Sequence, residues 1–422
     1  MRLILLIFLT MTFPLALSAG VSQVSVVKVN GPINPVTSDY LRRNLNESAM
    51  RGDRLLLVEM DTPGGLDSAM RETVKDILAS PVPVAVFVAP PGARAASAGA
   101  VIALAADICA MAPGTNIGAA HPVSIGEKPD KVMEAKLVND AEAYVEGIAL
   151  KRGRNADIAK KMVRESISLS ADKALAGNLI DLIASDRQEL LKKLEGRQIK
   201  RDGKETLLRL IGAEVRQHEM GGRERILNVI SNPNVAYMLM MIGLMGLFFE
   251  LSNPGVILPG VVGGISLILA FFAFQTLPVN YAGVLLILLA IVLFIAEIKI
   301  VSHGMLTVGG VIAMLLGSLL LFQSPESYLR VSTGVILVTV LMTTLFFVFA
   351  VTKVVRAHRN RPVTGREGLV GEEGIADTEI MPEGKVFVRG EYWNAESSER
   401  IMKGEKVVVT ALEGMRVKVR KG

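Results

Sequence analysis

The chain has one cysteine, Cys109, among 422 residues, which excludes an internal disulfide and any thiolate metal cluster built within one chain. A G-x-x-x-x-G-K-[ST] phosphate loop is also missing, so any nucleotide energy would have to come from another chain. Of the four histidines only His121 and His218 precede the apolar region, and His218 sits in the polar stretch QHEMGGRER. Charged residues almost vanish from Val235 to Thr352. The net charge of +5 is spread along the chain, and its densest run, Lys353–Arg361, directly follows that apolar stretch. Such a placement reads as membrane topology, not nucleic-acid binding.

What is present divides into an export signal and three regions. Residues 1–19 carry Arg2, an apolar run and the small residues Ala16, Ser18 and Ala19, the layout of a secretory signal peptide, with an uncleaved anchor helix as the rival reading. Residues 20–230 alternate buried-strand runs such as RLLLVEMD and PVPVAVFVAP with helical stretches such as LDSAMRETVKDILAS. That alternation predicts βαβ units and a largely parallel sheet. In region 231–355, five apolar segments at roughly 235–251, 256–274, 281–297, 304–323 and 331–352 each approach the length of a bilayer-spanning helix, with four spans as the rival count. With the first region exported, an odd number of spans leaves the C-terminus in the cytoplasm, in keeping with Lys353, Arg356, Arg359 and Arg361 after the last one. Residues 363–422 read as short alternating strands, most simply a five-stranded barrel of the oligonucleotide/oligosaccharide-binding (OB) type. With 10 Lys/Arg against 11 Asp/Glu it has no basic footprint, which favours a protein contact over nucleic acid.

One serine stands out. In PPGARAASAGAVIALAAD, Ser97 follows a buried strand and opens a helical stretch, where unpaired N–H groups and the positive end of a helix dipole would meet a tetrahedral oxyanion. Ala98 would supply one donor. In a parallel sheet with right-handed crossovers the turn at Gly64 and Gly65, in DTPGG, should lie on the same edge and face it. The plain alternative is a closely packed helix start opposite an ordinary turn. For a base, His121 follows Ser97 closely enough to reach it, and a lysine would serve if desolvation kept it neutral. Met133, Leu137, Ala141, Tyr144 and Ile148 form an apolar helix stripe, with Lys136 on its flank and Lys131 opposite, so Lys136 is the lysine best placed for partial burial.

With DTPGG, ARAASAGA, TNIGAAHP, KLVND, SADKALAGNLID and the C-terminal GEYWNAESSERIMKGEKVVVTALEGMRVKV in this order, the chain resembles the long-form NfeD proteins, membrane-bound serine proteases of the Clp class. The resemblance implies a Clp/crotonase-like α/β domain of stacked ββα units, an all-α transmembrane bundle and a cytoplasmic OB-fold barrel, in an inner-membrane multi-pass protein that forms a homo-oligomer. It further implies an ATP-independent endopeptidase with a Ser97–Lys136 dyad, Lys136 and Asn139 matching the family's K-x-x-N. Gly65 and Ala98 would be the oxyanion donors, Gly64 and His121 substrate contacts, with no cofactor or metal. Apolar segments of stomatin-like (band-7) proteins are the implied substrates. Two alternatives stay open: a Ser–His–Asp site using His121 and Asp172, and a non-enzymatic scaffold for a stomatin-like partner. A transporter is disfavoured because Glu250, Glu297 and Lys299 sit at span ends.

Overall fold

The computed structural model describes residues 23–123, 130–201, 204–252, 255, 257–300, 302–324, 326–359 and 366–422. The expected signal peptide (1–19) and Arg361 lie outside them, as does Lys128, a further lysine near Ser97 in sequence. In chain order the N-terminal domain runs β1 (Gln23–Asn30), α1 (Pro35–Arg51), β2 (Leu55–Asp61), α2 (Asp67–Ala79), β3 (Val84–Val88), β4 (Arg94–Ala96), α3 (Ala98–Ala105), β5 (Ile108–Met111) and β6 (Asn116–Gly118). It continues through α4 (Lys131–Lys151), α5 (Ala156–Arg164), β7 (Ser168–Ser170), α6 (Ala171–Ala176), β8 (Leu182–Ile183), α7 (Arg187–Leu194), β9 (Gln198–Arg201), β10 (Lys204–Leu207), β11 (Glu214–His218) and α8 (Gly222–Ile230).

The main sheet has the order β11-β1-β2-β3-β5-β8, and every pairing in it is parallel. Alternation along its central strands makes two cores. Leu56, Val58 and Met60 join the side packed by α1 to α5, whereas Leu55 and Leu57 join Phe87, Ile108 and Leu190 on the opposite face. Both faces being covered explains why LLLVEMD reads as a nearly continuous apolar run. A smaller sheet, β4-β6-β7, stands off the edge of the first, with β4 and β6 parallel and β7 antiparallel. A main-sheet strand, a small-sheet strand and a helix, as in β3-β4-α3, make the expected ββα unit. Cys109 on β5 is fully buried, and burial pushes its thiol up to about 12.

The helix α3 is tied down at its far end. Arg154, 6% exposed, donates to the carbonyls of Leu104 and Ala106 at the last turn of α3 and pairs with Asp181 at 2.7 Å. Its removal strands those acceptors in the interior. Arg154→Ala is therefore expected to cost about 3 kcal/mol, read as a lowered melting temperature of the full chain.

Five apolar helices follow: α9 (Pro233–Ser252), α10 (Ile257–Phe274), α11 (Tyr281–Lys299), α12 (Met305–Leu321) and α13 (Thr333–Arg359). They fall at the five expected positions. The first three are long and apolar enough to cross a membrane, whereas α12 and the apolar part of α13, Thr333–Phe349, are shorter. Helices α9 and α10 pack closely at glycine: a Cβ on Gly246 would lie 2.5 Å from the Pro259 carbonyl oxygen and 2.9 Å from Gly263 Cα. Glu297, at the end of α11, accepts from Ser302 Oγ and from the N–H groups of Gly304 and Thr307 that precede or begin α12. It is thus committed to a turn.

The connections gather at one end of these helices. Val279 bridges Phe322, the Asn280 N–H donates to the Leu321 carbonyl at 2.8 Å, and the Ser332 N–H donates to Asn234 Oδ1 at 2.8 Å. The starts of α9, α11 and α13 therefore share an end with the finish of α12.

The C-terminal domain has a short helix, α14 (Arg366–Leu369), and five strands: β12 (Glu373–Ala376), β13 (Glu383–Val388), β14 (Glu391–Glu396), β15 (Lys406–Glu413) and β16 (Arg416–Lys421). They close in the order β12-β13-β14-β16-β15 around Val386, Val388, Val407, Val409, Val417 and Val419. The five-stranded barrel read from the alternating pattern is what forms.

Candidate active site

Ser97 sits where β4 turns into α3. The turn is fixed on both sides: Thr62 N–H donates to the Arg94 carbonyl, Ala96 N–H to the Thr62 carbonyl, and Ser97 N–H to the Gly118 carbonyl at 2.8 Å. Ser97 itself adopts φ 51° and ψ −118°, left-handed backbone that L-residues other than glycine adopt at a cost of about 1–3 kcal/mol. A strained serine between strand and helix presents its hydroxyl outward, the arrangement of a nucleophile elbow. The hydroxyl is also free of structural duty. A serine at a helix N-cap ordinarily accepts from a first-turn N–H, but Ser97 makes no such bond and, among the described residues, no other side-chain hydrogen bond. This counts against the plain helix-start reading.

The facing turn is where the topology places it. A Cβ on Gly64, which has φ +122°, would lie 2.8 Å from Ser97 Cβ and 3.3 Å from Ser97 Oγ. Only glycine allows both that backbone and that approach. Ile33 brackets the turn, its N–H donating to the Gly64 carbonyl at 2.8 Å and its carbonyl accepting from Leu66 at 2.9 Å. The Gly65 N–H between them has no acceptor among the described residues, and neither has that of Ala98 in the first turn of α3. Gly65, Ser97 and Ala98 line one cavity with Met70, Val101, His121, Tyr144, Val145 and Val163. The lining is mostly apolar, with the two backbone donors and the hydroxyl among it.

The remaining candidates part company here. His121 lines the cavity, and its Nδ1–H donates to the Val163 carbonyl at 2.8 Å, because a carbonyl can only accept. In the neutral ring the lone pair is then on Nε2. Asp172 is exposed at the start of α6 and has no bond to His121, so the Ser97–His121–Asp172 arrangement is not formed. Lys136 is exposed and does not line the cavity, contrary to the expected partial burial. The physical reason is where α4 meets the core. Ala141, Tyr144 and Val145 reach the cavity, but Met133 and Leu137 of the same stripe are 48% and 40% exposed. The first turns of α4 are exposed. Asp140, one turn after Lys136 on the same face, pairs with Arg71 at the cavity rim, and the Arg71 guanidinium lies 4.4 Å from the centre of the Tyr144 ring.

The sequence of the NfeD1b N-terminal domain matches residues 23–215, that of the NfeD integral membrane domain residues 234–353, and that of the NfeD-like C-terminal, partner-binding domain residues 366–421. A membrane-bound protease, PH1510 of Pyrococcus horikoshii, is 36% identical over 427 residues, covering 98% of this chain and 97% of that protein. The chain belongs to the NfeD family. It is a membrane protein and a serine protease.

Other members are similar at lower identity or over less of the chain. The membrane protein NfeD1b of Bacillus subtilis is 28% identical over 419 residues, covering 94% of this chain and 92% of that one. Among solved structures, a mutant of the 1510-N membrane-bound stomatin-specific protease is 36% identical and superposes with a TM-score of 0.45, over 47% of this chain and 99% of the other. A second mutant of that protease, in complex with a substrate peptide, is 35% identical with a TM-score of 0.46, over 50% and 97%.

One part of the site was not read from the sequence of this NfeD chain. Tyr328 and Leu329, in a 3-10 turn between α12 and α13, line the same cavity as Ser97. Their only local signal is SPESYLR, a polar and aromatic break between two apolar runs. Burial and then the charge of Glu326 hold the Tyr328 phenol above its ordinary range, with Arg94 opposing.

Proposed function

We propose that this chain is an ATP-independent endopeptidase that cuts apolar segments of a stomatin-like membrane protein, with Ser97 as nucleophile and Gly65 and Ala98 as oxyanion donors. The observation that carries it is the hydroxyl of Ser97 in a φ 51° turn, beside two backbone N–H groups, all three without a hydrogen-bond partner among the described residues. In this reading Ser97 Oγ attacks the scissile carbonyl, both N–H groups hold the resulting oxyanion, and the base returns its proton to the leaving amine. Water then releases the acyl-enzyme. The stomatin-like substrate is supported by the relatives described as stomatin-specific proteases, and the barrel is assigned to partner binding from the matching domain description. We assign a homo-oligomer by family resemblance.

For the base we propose Lys136, on its place in KLVND and on Asp140 of the same helix face being held at the cavity rim. An exposed lysine acts as a base only once desolvated, so the first turns of α4 would have to close over bound substrate. His121 is the second reading, favoured by its place in the cavity and its Nε2 lone pair. Fluorophosphonate labelling of Ser97 across pH separates them. With Lys136 as base, Lys136→Ala slows acylation by about 10²–10⁴-fold, while His121→Ala stays within a few-fold. The reverse pattern would hand the role to His121.

The gathered helix ends also support five crossings, since α9, α11 and α13 start where α12 finishes. On that topology the barrel lies across the membrane from the protease domain. Protease protection of residues 366–422 in sealed vesicles exposing the N-terminal domain tests this.

A further inference from the structure

The connection between α12 and α13 does more than turn the chain. Leu329 and Val331 in it are each only 8% exposed. The Tyr328 hydroxyl lies 3.1 Å from the point where a Gly64 Cβ would stand, the point that is also 3.3 Å from Ser97 Oγ. The Tyr328 and Ser97 hydroxyls therefore both lie close to Gly64, and Leu329 beside Tyr328 lines the cavity with Ala98, His121 and Tyr144. Internal bonds shape the strap: Arg330 Nε–H donates to the Ser324 carbonyl, the Leu329 N–H to the Glu326 carbonyl at 3.1 Å, and the Glu326 N–H to Ser324 Oγ at 3.2 Å. Its ends are anchored among the helices through Ser332 to Asn234 and Asn280 to Gln323. By contrast, the Tyr328 hydroxyl makes no hydrogen bond to a described residue of the protease domain, and the cavity that Tyr328 and Leu329 line with it is mostly apolar.

We propose that this connection is an intramolecular occupant of the substrate cleft, in which Tyr328 and Leu329 take the places of two substrate residues beside the scissile bond. The membrane helices thus hold the protease closed, and an apolar segment able to fill the same cavity opens it by displacing the strap. The proposal rests on Ser97 being the nucleophile. Its chemistry also sets the substrate class, an extended segment with a large apolar or aromatic side chain next to the cut.

The test is fluorophosphonate labelling of the full chain in lipid nanodiscs, with melting temperature measured alongside. Tyr328→Ala and Leu329→Ala should each raise the labelling rate, and the double variant should raise it by about 10-fold or more, a gain that misfolding does not imitate. Equal or slower labelling at an unchanged melting temperature overturns the strap. No labelling of any variant overturns the reading of Ser97, and the strap with it. Independently of those variants, an apolar peptide added to the Ser97→Ala chain should speed hydrogen exchange of amides in residues 326–332. Unchanged or slower exchange there, with the peptide bound, rejects displacement.

Discussion

Ser97→Ala is expected to abolish fluorophosphonate labelling and to lower peptide cleavage by roughly 10⁵–10⁶-fold, the scale seen when a serine nucleophile is deleted from an enzyme that keeps its oxyanion donors. Stability should hardly move. If Ser97 were only a helix N-cap, its loss would cost about 1 kcal/mol, but its hydroxyl caps nothing, and alanine keeps the Cβ that lies against Gly64. Two measurements on one variant therefore separate the readings. Lost labelling at an unchanged melting temperature supports the nucleophile, whereas a lower melting temperature with labelling retained sinks it.

Gly64→Ala is expected to lower acylation by at least about 10²-fold through geometry alone, because a displacement near 1 Å at a reacting centre has effects of that size. The new methyl would stand 2.8 Å from Ser97 Cβ, so one of the two turns must move. The backbone at φ +122° adds strain of about 1–3 kcal/mol to any side chain there. Neither turn can yield freely, since Ile33 fixes the Gly64 carbonyl and Gly118 fixes the Ser97 N–H. Single-turnover labelling measures the loss, and a native circular dichroism spectrum shows that it is local. Labelling at the wild-type rate would mean that the two turns are not in contact.

The parts of this site that could be read from sequence are those that depend on chain order. Strand runs such as LLLVEMD, with glycines at their C-terminal ends, place consecutive turns on one edge of a parallel sheet, and so put Gly64 against Ser97. The barrel was legible because its strands alternate cleanly, as in KVVVTALE with its inward Val407 and Val409. The partial burial expected of Lys136 is absent because an apolar stripe does not say where along a helix packing begins: the stripe on α4 starts at Met133, but its burial starts near Ala141. The three-residue strands β4, β6 and β7 are too short for periodicity to register. Tyr328 and Leu329 could not be read at all, since nothing local to SPESYLR points to a cleft built from residues 65–163.

The strap also fixes a length. Tyr328 is five residues before Thr333, where α13 begins, and five residues of extended chain span at most about 18 Å. Tyr328, which lines the cavity of Ser97, is thus tethered within that reach of the start of α13. If the strap occupies the cleft as proposed, the protease is expected to act as a ruler: lengthening the spacer between a substrate's membrane anchor and its cleavage segment should move the cut along the chain instead of preserving its sequence position.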